Sequence, residues 1–165
     1  MSVSDHRRDA PASIGCFVLT ISDTRTDTTD TSGNAIVSAL EAAGHRVVGR
    51  RLVRDEPETV RDVVVEQAKS VDVVIATGGT GLTSRDSTYE AIAGVLDKRI
   101  DGFGELFRAL SFTDIGSAAM LSRACAGTVG RTAIFSLPGS ENAVRLAMSR
   151  LILPELGHIV RELRR

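Results

Sequence analysis

The sequence predicts an α/β fold, a parallel sheet covered by helices. Apolar strand-like runs recur at residues 14–22, 45–53 and 71–76, and each is followed by residues with helical apolar spacing. The chain has 165 residues, enough for one compact domain. A chain of this length buries roughly 70% of the surface it exposes when unfolded.

The first run is nearly continuously apolar, which suits a strand buried on both faces of a parallel sheet. A loop rich in Asp and Thr follows over residues 23–30. Thr31 or Ser32 then caps a helix with apolar Ile36, Val37, Leu40 and Ala43, ended by Gly44. The second run carries Arg50 and Arg51, the mark of an exposed end or an edge. Pro57 falls in the first turn of the next helix, whose buried stripe is Val60, Val63, Val64 and Ala68. The third run ends in a glycine loop, and a helix-like run follows at residues 89–96.

Residues 102–110 read as a helix after a glycine turn. Residues 122–129 and 131–137 read as the strands of a hairpin around Gly130. Ser140 N-caps a final helix carrying Val144, Leu146, Ala147, Leu151 and Ile152. Pro154 kinks or restarts it before Leu156, Ile159, Val160 and Leu163. No internal repeat, linker or low-complexity tract interrupts the pattern.

Composition narrows the function. Formal net charge is -1, so no overall basic field draws nucleic acid. Aromatics are 4% with no Trp and one Tyr, too few for stacking single strands. Arg161, Arg164 and Arg165 crowd the C-terminus, where a helix dipole favours cations. Cys16 and Cys125 lie in apolar runs and form no C-x-x-C pair, as expected of buried thiols. His6, His45 and His158 lack metal-ligand spacing. No apolar run reaches membrane-spanning length. Residues 1–13 are polar, lack the apolar core of a signal peptide, and are expected to be a mobile tail. The expectation is a cytoplasmic protein with its domain over residues 14–165.

The most informative stretch is the loop Thr77-Gly78-Gly79-Thr80-Gly81, followed by Arg85-Asp86. Glycines at a strand-to-helix junction let backbone N–H groups approach an anion. The loop is not a Walker P-loop, and it lacks the third glycine of the dinucleotide fingerprint. Ser87, with Glu90 three residues on, can cap the next helix and free Asp86 for a metal. Asp55 also follows a strand, although with Glu58 it suits an acidic capping arrangement at the Pro57 helix. The segment Ser136-Leu137-Pro138-Gly139-Ser140 sets a second group of backbone donors at a helix start. Parallel sheets bind ligands beyond the carboxyl ends of their strands, so these loops are expected to gather on one edge. Asp23, Asp27 and Asp30 make an acidic loop there, and Glu105 is a carboxylate beside a glycine turn.

Together these residues resemble the MoaB/Mog family of molybdenum cofactor biosynthesis proteins. The resemblance runs from Ile14 to about Glu162. It rests on Thr20-Ile21-Ser22-Asp23, Asp30-Thr31-Ser32-Gly33, the glycine loop, Arg85-Asp86, Gly102-Phe103-Gly104-Glu105, Leu121-Ser122-Arg123 and Leu137-Pro138-Gly139-Ser140. It implies a three-layer α/β/α sandwich with a mostly parallel, Rossmann-like sheet, assembled as a trimer or hexamer. It implies adenylylation of molybdopterin by ATP with Mg²⁺, releasing pyrophosphate, and hand-over to a MoeA-like protein that inserts molybdate.

By the same resemblance, Thr77, Gly78, Gly79, Thr80 and Gly81 cradle phosphates. Asp86 and Asp55 are the catalytic carboxylates, with Asp86 on the metal. Ser22, Asp23, Ser32 and Gly33 lie along the nucleotide or substrate cleft, and Glu105 is counted with the binding residues. Ser122, Arg123, Pro138, Gly139 and Ser140 lie at the pterin side. An alternative for the same scaffold is a non-catalytic, oligomeric molybdopterin carrier; a weaker one is a nucleotide-binding regulatory domain. The chain has Ser84 and Tyr89 where the family often has proline, which predicts a less rigid loop. It has Glu141-Asn142 where Pro-Lys is common, which predicts a repulsive charge beside a phosphate site.

Overall fold

The structure is a computed structural model that describes residues 10–165. The tail expected over residues 1–13 lies outside the described residues as far as position 9. Ala10 and Pro11 are half-buried against Gly157, so the end of that segment is docked on the domain.

Six strands form a sheet: β1 (Gly15–Ile21), β2 (Arg46–Val53), β3 (Val73–Thr77), β4 (Lys98–Arg99), β5 (Cys125–Val129) and β6 (Thr132–Leu137). Their order is β2-β1-β3-β6-β5-β4. β2, β1, β3 and β6 run parallel, whereas β5 is antiparallel to β6 and β4 antiparallel to β5. The helices are α1 (Thr31–Ala42), α2 (Pro57–Gln67), α3 (Thr88–Ala93), α4 (Asp101–Ile115), α5 (Glu141–Ala147) and α6 (Leu153–Arg164). A 3₁₀ segment (Gly116–Leu121) follows α4, and a π turn (Met148–Ile152) joins α5 to α6.

Alternation along the strands builds two cores. Cys16, Val18, Val73, Ile75, Ala133 and Phe135 face one side, where α1, α4, α5 and α6 bring Ile36, Phe107, Val144 and Leu156. Phe17, Leu19, Val74, Ala76 and Ile134 face the other, where α2 and α3 bring Val60, Val64 and Ile92. This is the expected three-layer α/β/α sandwich. Every residue of β1 is buried, as its apolar run predicts. β2 alternates and stands at the sheet edge, which explains how Arg50 and Arg51 are tolerated there. Cys16 and Cys125 are buried free thiols, and burial pushes the Cys16 pKa up to about 12.

Several boundaries differ from expectation. Neither Thr31 nor Ser32 caps α1; Asp30 does, accepting from the Gly33 N–H at 2.9 Å. Asp30 is 0% exposed and also accepts from Thr20 Oγ1 (2.6 Å) and Arg50 Nη2 (2.7 Å). Burial by itself would raise its pKa, but those donors outweigh burial and hold it below the ordinary value. The tertiary partners decide the cap. The helix after the glycine loop is shorter than residues 89–96, ending at Ala93. Pro154 sits in the first turn of α6, and the break before it is the π turn. At the C-terminus, Arg164 pairs with Asp72 at 2.8 Å and Arg165 with Glu162 at 3.3 Å. No helix among the described residues is long and apolar enough to cross a membrane.

Candidate active site

The carboxyl ends of β1, β2, β3 and β6 point to one edge, and their loops converge there. The centre is the turn after β3. Gly78 and Gly79 have φ of +104° and +66°, which L side chains rarely adopt. A Cβ on Gly78 would lie 2.0 Å from the Ile21 carbonyl, and one on Gly79 would lie 2.0 Å from Thr88 Oγ1. Gly78 N–H is taken by the Leu137 carbonyl (3.0 Å), and Thr77 Oγ1 donates to the Pro138 carbonyl (2.8 Å). Among the described residues nothing accepts from the N–H groups of Gly79 or Thr80. They remain for an anion.

A first compartment of about 230 Å³ lies on one side of the turn, lined by Ser22, Asp23, Ser32, Asp55, Gly78, Gly79, Asp86 and Gly139. Asp55 is 6% exposed and does not cap the Pro57 helix, correcting that expectation; the residue before Pro57 is Glu56, with no side-chain cap bond. Asp55 reaches instead to the start of α3. It accepts from Ser87 Oγ (2.8 Å) and N–H (3.3 Å) and from Thr88 Oγ1 (3.4 Å). Ser87 therefore stands at the expected cap position but makes no side-chain cap bond of its own. Burial raises the Asp55 pKa against the pull of those hydrogen bonds, and the charges of Asp86 and Asp23 raise it further. Asp86 behaves oppositely. Thr83 donates to it through Oγ1 (2.6 Å) and N–H (2.9 Å), which holds its pKa below the ordinary value. Asp23 is likewise lowered, chiefly by hydrogen bonding from Arg85.

A second compartment of about 440 Å³ lies on the other side. It is lined by Thr80, Gly81, Ser122, Pro138, Gly139 and Ser140 from loops, and by Phe107, Ile115, Ala118, Leu121 and Ala143 from helices. Gly79, Asp86 and Gly139 border both compartments. Ser140 caps α5, accepting from Ala143 N–H at 3.3 Å. The Ser122 hydroxyl is buried with no partner among the described residues. A buried hydroxyl without a partner is costly unless a ligand or water meets it.

Not every expected residue reaches the cleft. Gly33 is packed behind it: a Cβ there would lie 2.2 Å from Asp30 Oδ2 and 2.6 Å from Thr20 Oγ1. Its smallness serves the buried Asp30 knot, and the neighbouring Ser32 lines the compartment instead. Glu105 is exposed on α4 and lines neither compartment. Arg123 grips the loop from outside, with Nε donating to the Thr80 carbonyl (3.1 Å) and Nη2 to the Gly81 carbonyl (2.5 Å). It also pairs with Glu90 and lies over the Tyr89 ring, 5.2 Å from its centroid. Tyr89 in turn accepts from Arg99 Nη2 through its hydroxyl at 3.0 Å. The position expected to loosen the loop is thus stitched down by arginines. Glu141 is paired with Arg145 at 2.6 Å, one helical turn on, which tempers its charge.

Sequence reasoning gave no site role to Arg25, or to Arg85 beyond its place in the Arg85-Asp86 motif; both line the first compartment. Arg85 binds Asp23 through Nε (3.0 Å) and Nη2 (3.2 Å) and Glu56 through Nη2 (2.9 Å). Only its position beside Asp86 could have marked it. Among the described residues no three acidic, His or Cys side chains are placed to hold a metal by themselves. Magnesium, however, is usually held by one or two carboxylates plus water and substrate phosphates. Asp86 and Asp55 fit that partial role. They border one compartment; burial first, and the charges of Asp86 and Asp23 after it, raise the Asp55 pKa, and a bound cation would offset both.

The sequence matches the family described as "Probable molybdopterin binding domain" over residues 17–158. It is similar to the Molybdenum cofactor biosynthesis protein B of Bacillus cereus, at 54% identity over 100% of this chain and 99% of that protein. It is similar in structure to a crystal structure of Molybdenum cofactor biosynthesis protein B, with a TM-score of 0.90, 53% identity, and coverage of 94% of this chain and 99% of that one. The tungsten cofactor synthesizing protein MoaB from Pyrococcus furiosus has a TM-score of 0.84 and 39% identity, covering 94% of this chain and 100% of that one. Sequence and architecture agree over nearly the whole chain, and it belongs to the MoaB family of molybdenum cofactor biosynthesis proteins.

Proposed function

We propose that the protein joins the adenylyl group of ATP to molybdopterin, releasing pyrophosphate. The observation that carries this reading is the meeting of two unlike compartments at Gly79, Asp86 and Gly139. A terminal phosphate of the pterin and the α-phosphate of ATP would share that border. The pterin phosphate oxygen would attack the α-phosphorus, and the bond to the β-phosphate bridging oxygen would break. A phosphate monoester is largely ionised near pH 7, so no strong base is needed. Two polyanions must be held in line, and positioning and charge compensation supply most of the acceleration.

The free N–H groups of Gly79 and Thr80 would cradle phosphate oxygens, and the Ser122 hydroxyl would meet a polar edge of the pterin. Asp86, with Asp55 close by, would hold Mg²⁺, which when bound neutralises phosphate charge and eases departure of pyrophosphate. Self-association fits the same reading. Leu106, Phe112 and Met120 are exposed on α4 and the 3₁₀ segment and line neither compartment, an apolar surface that a second copy would cover.

The test is pyrophosphate release from ATP, Mg²⁺ and molybdopterin by the purified chain. Mg²⁺-dependent release that requires the pterin is expected. Tight pterin binding with no release, while an active relative works in the same assay, would sink the enzymatic reading in favour of a carrier.

A further inference from the structure

We propose that Arg25 grips the polyphosphate end of the nucleotide in the first compartment; this rests on the nucleotide reading above. The compartment is acidic for a place meant to receive phosphates. Asp23, Asp55 and Asp86 line it, and its cations are Arg25 and Arg85. Arg85 is already neutralised, forked onto Asp23 and paired with Glu56 at 2.9 Å. An incoming triphosphate gains little from a guanidinium whose charge faces two carboxylates.

Arg25 differs in kind. Its Nη1 donates to the Thr29 carbonyl (3.1 Å) and the Thr31 hydroxyl (2.7 Å), and its Nη2 reaches the Gly139 carbonyl at 3.5 Å. All three acceptors are neutral, and no carboxylate among the described residues pairs with Arg25. A guanidinium offers five N–H donors in a planar fork, so Nε and part of Nη2 stay available. Hydrogen bonds to a charged partner are roughly twice as strong as neutral ones. A phosphate would therefore compete well for the contacts Arg25 now makes.

The loop is shaped to present this side chain. Ser22 Oγ accepts from the N–H groups of Arg25 (3.0 Å) and Thr24 (3.2 Å), and Thr29 Oγ1 accepts from Thr26 N–H (2.8 Å). The turn is closed by its own hydroxyls, which leaves the guanidinium to bridge the loop and the β6–α5 turn. Its reach to the Gly139 carbonyl puts it at the border shared with the second compartment. A guanidinium without a carboxylate partner, in the same compartment as the carboxylates proposed to hold Mg²⁺, would give a polyphosphate a second positive contact.

Calorimetric titration of the full chain with inorganic pyrophosphate, ATP–Mg²⁺ and molybdopterin tests this. Arg25→Gln keeps N–H donors without charge, and Arg25→Lys keeps charge without the fork. Arg25→Gln is expected to weaken pyrophosphate and ATP binding by about 10-fold or more. Arg25→Lys should fall between it and wild type. Molybdopterin affinity should fall clearly less than pyrophosphate affinity in both, because Arg25 lines the first compartment and not the second. Unchanged pyrophosphate affinity in Arg25→Gln overturns the proposal, while turnover by wild type would leave the nucleotide reading standing. Equal weakening of pyrophosphate and pterin binding marks a collapsed loop and overturns it too. A wild-type chain that neither binds pyrophosphate nor releases it from ATP removes both readings.

Discussion

The first compartment is walled by Asp23, Asp55, Asp86, Arg25 and Arg85, whereas the second is walled largely by Phe107, Ile115, Ala118, Leu121 and Ala143. The two draw on different parts of the fold. The charged wall comes from the loops after β1, β2 and β3, where parallel strand ends present turns and backbone donors. The apolar wall comes from α4, the 3₁₀ segment and α5, which offer side chains at helical spacing. A ligand that is charged at one end and a flat heterocycle at the other has a matching surface for each end. Gly79 of the turn belongs to both walls because it has no side chain to take one side.

The largest effect should come from the shared border. Asp86→Asn is expected to lower turnover by about 10²-fold or more, as loss of one key electrostatic group does. Pterin affinity should change far less. Steady-state rates with calorimetric pterin titration measure both, and an unchanged rate would break the division of labour. Next, Leu121→Asp places a carboxylate in the apolar wall. Molybdopterin binding should weaken by about 10-fold, from lost burial of roughly 1–2 kcal/mol, with ATP affinity held. Equal loss of both would mean that the compartments are not separable.

The smallest effect concerns Asp55. Its folded pKa is raised, so the folded chain holds that proton more tightly than the unfolded chain does. Its ionised form therefore costs stability at neutral pH, and the cost disappears as pH falls through the raised value toward the ordinary one. Asp30, Asp72 and Asp86 have the opposite sign, stabilising above the ordinary carboxylate value and losing that contribution as pH falls through their lowered values. Asp55→Asn should modestly raise the Tm at pH 7, with the gain shrinking as the buffer is taken toward pH 4. A Tm gain that does not vary with pH would show that charge is not its cause.

Much of this was legible from local pattern. The buried run of β1, the β5–β6 hairpin around Gly130 and the cap at Ser140 each carry their signal within a few residues. β4 does not: Lys98 and Arg99 show no apolar alternation and become a strand only by pairing with Thr128 and Gly127. The α1 cap, expected at Thr31 or Ser32, stands one or two residues earlier at Asp30, because Asp, Ser and Thr are nearly equivalent caps locally. Thr20 and Arg50, distant in sequence, select Asp30. Asp55 suggested a cap for the helix next to it, yet its partners are Ser87 and Thr88, some thirty residues on. Charged groups in this site take their roles from long-range partners, which periodicity does not encode.

Arg123 has one more bearing on the cleft. In a trans peptide unit the C=O and the N–H that follows it point to opposite sides. By drawing the oxygens of Thr80 and Gly81 outward, Arg123 turns the amide hydrogens that follow them the other way, and that of Gly81 meets the Asp86 carboxylate. The polarity of the turn is thus set by a fastening on its outer, solvent-facing side, held steady by the Tyr89 ring and Glu90. Arg123 lines neither compartment, so the grain of that lining is decided from behind it.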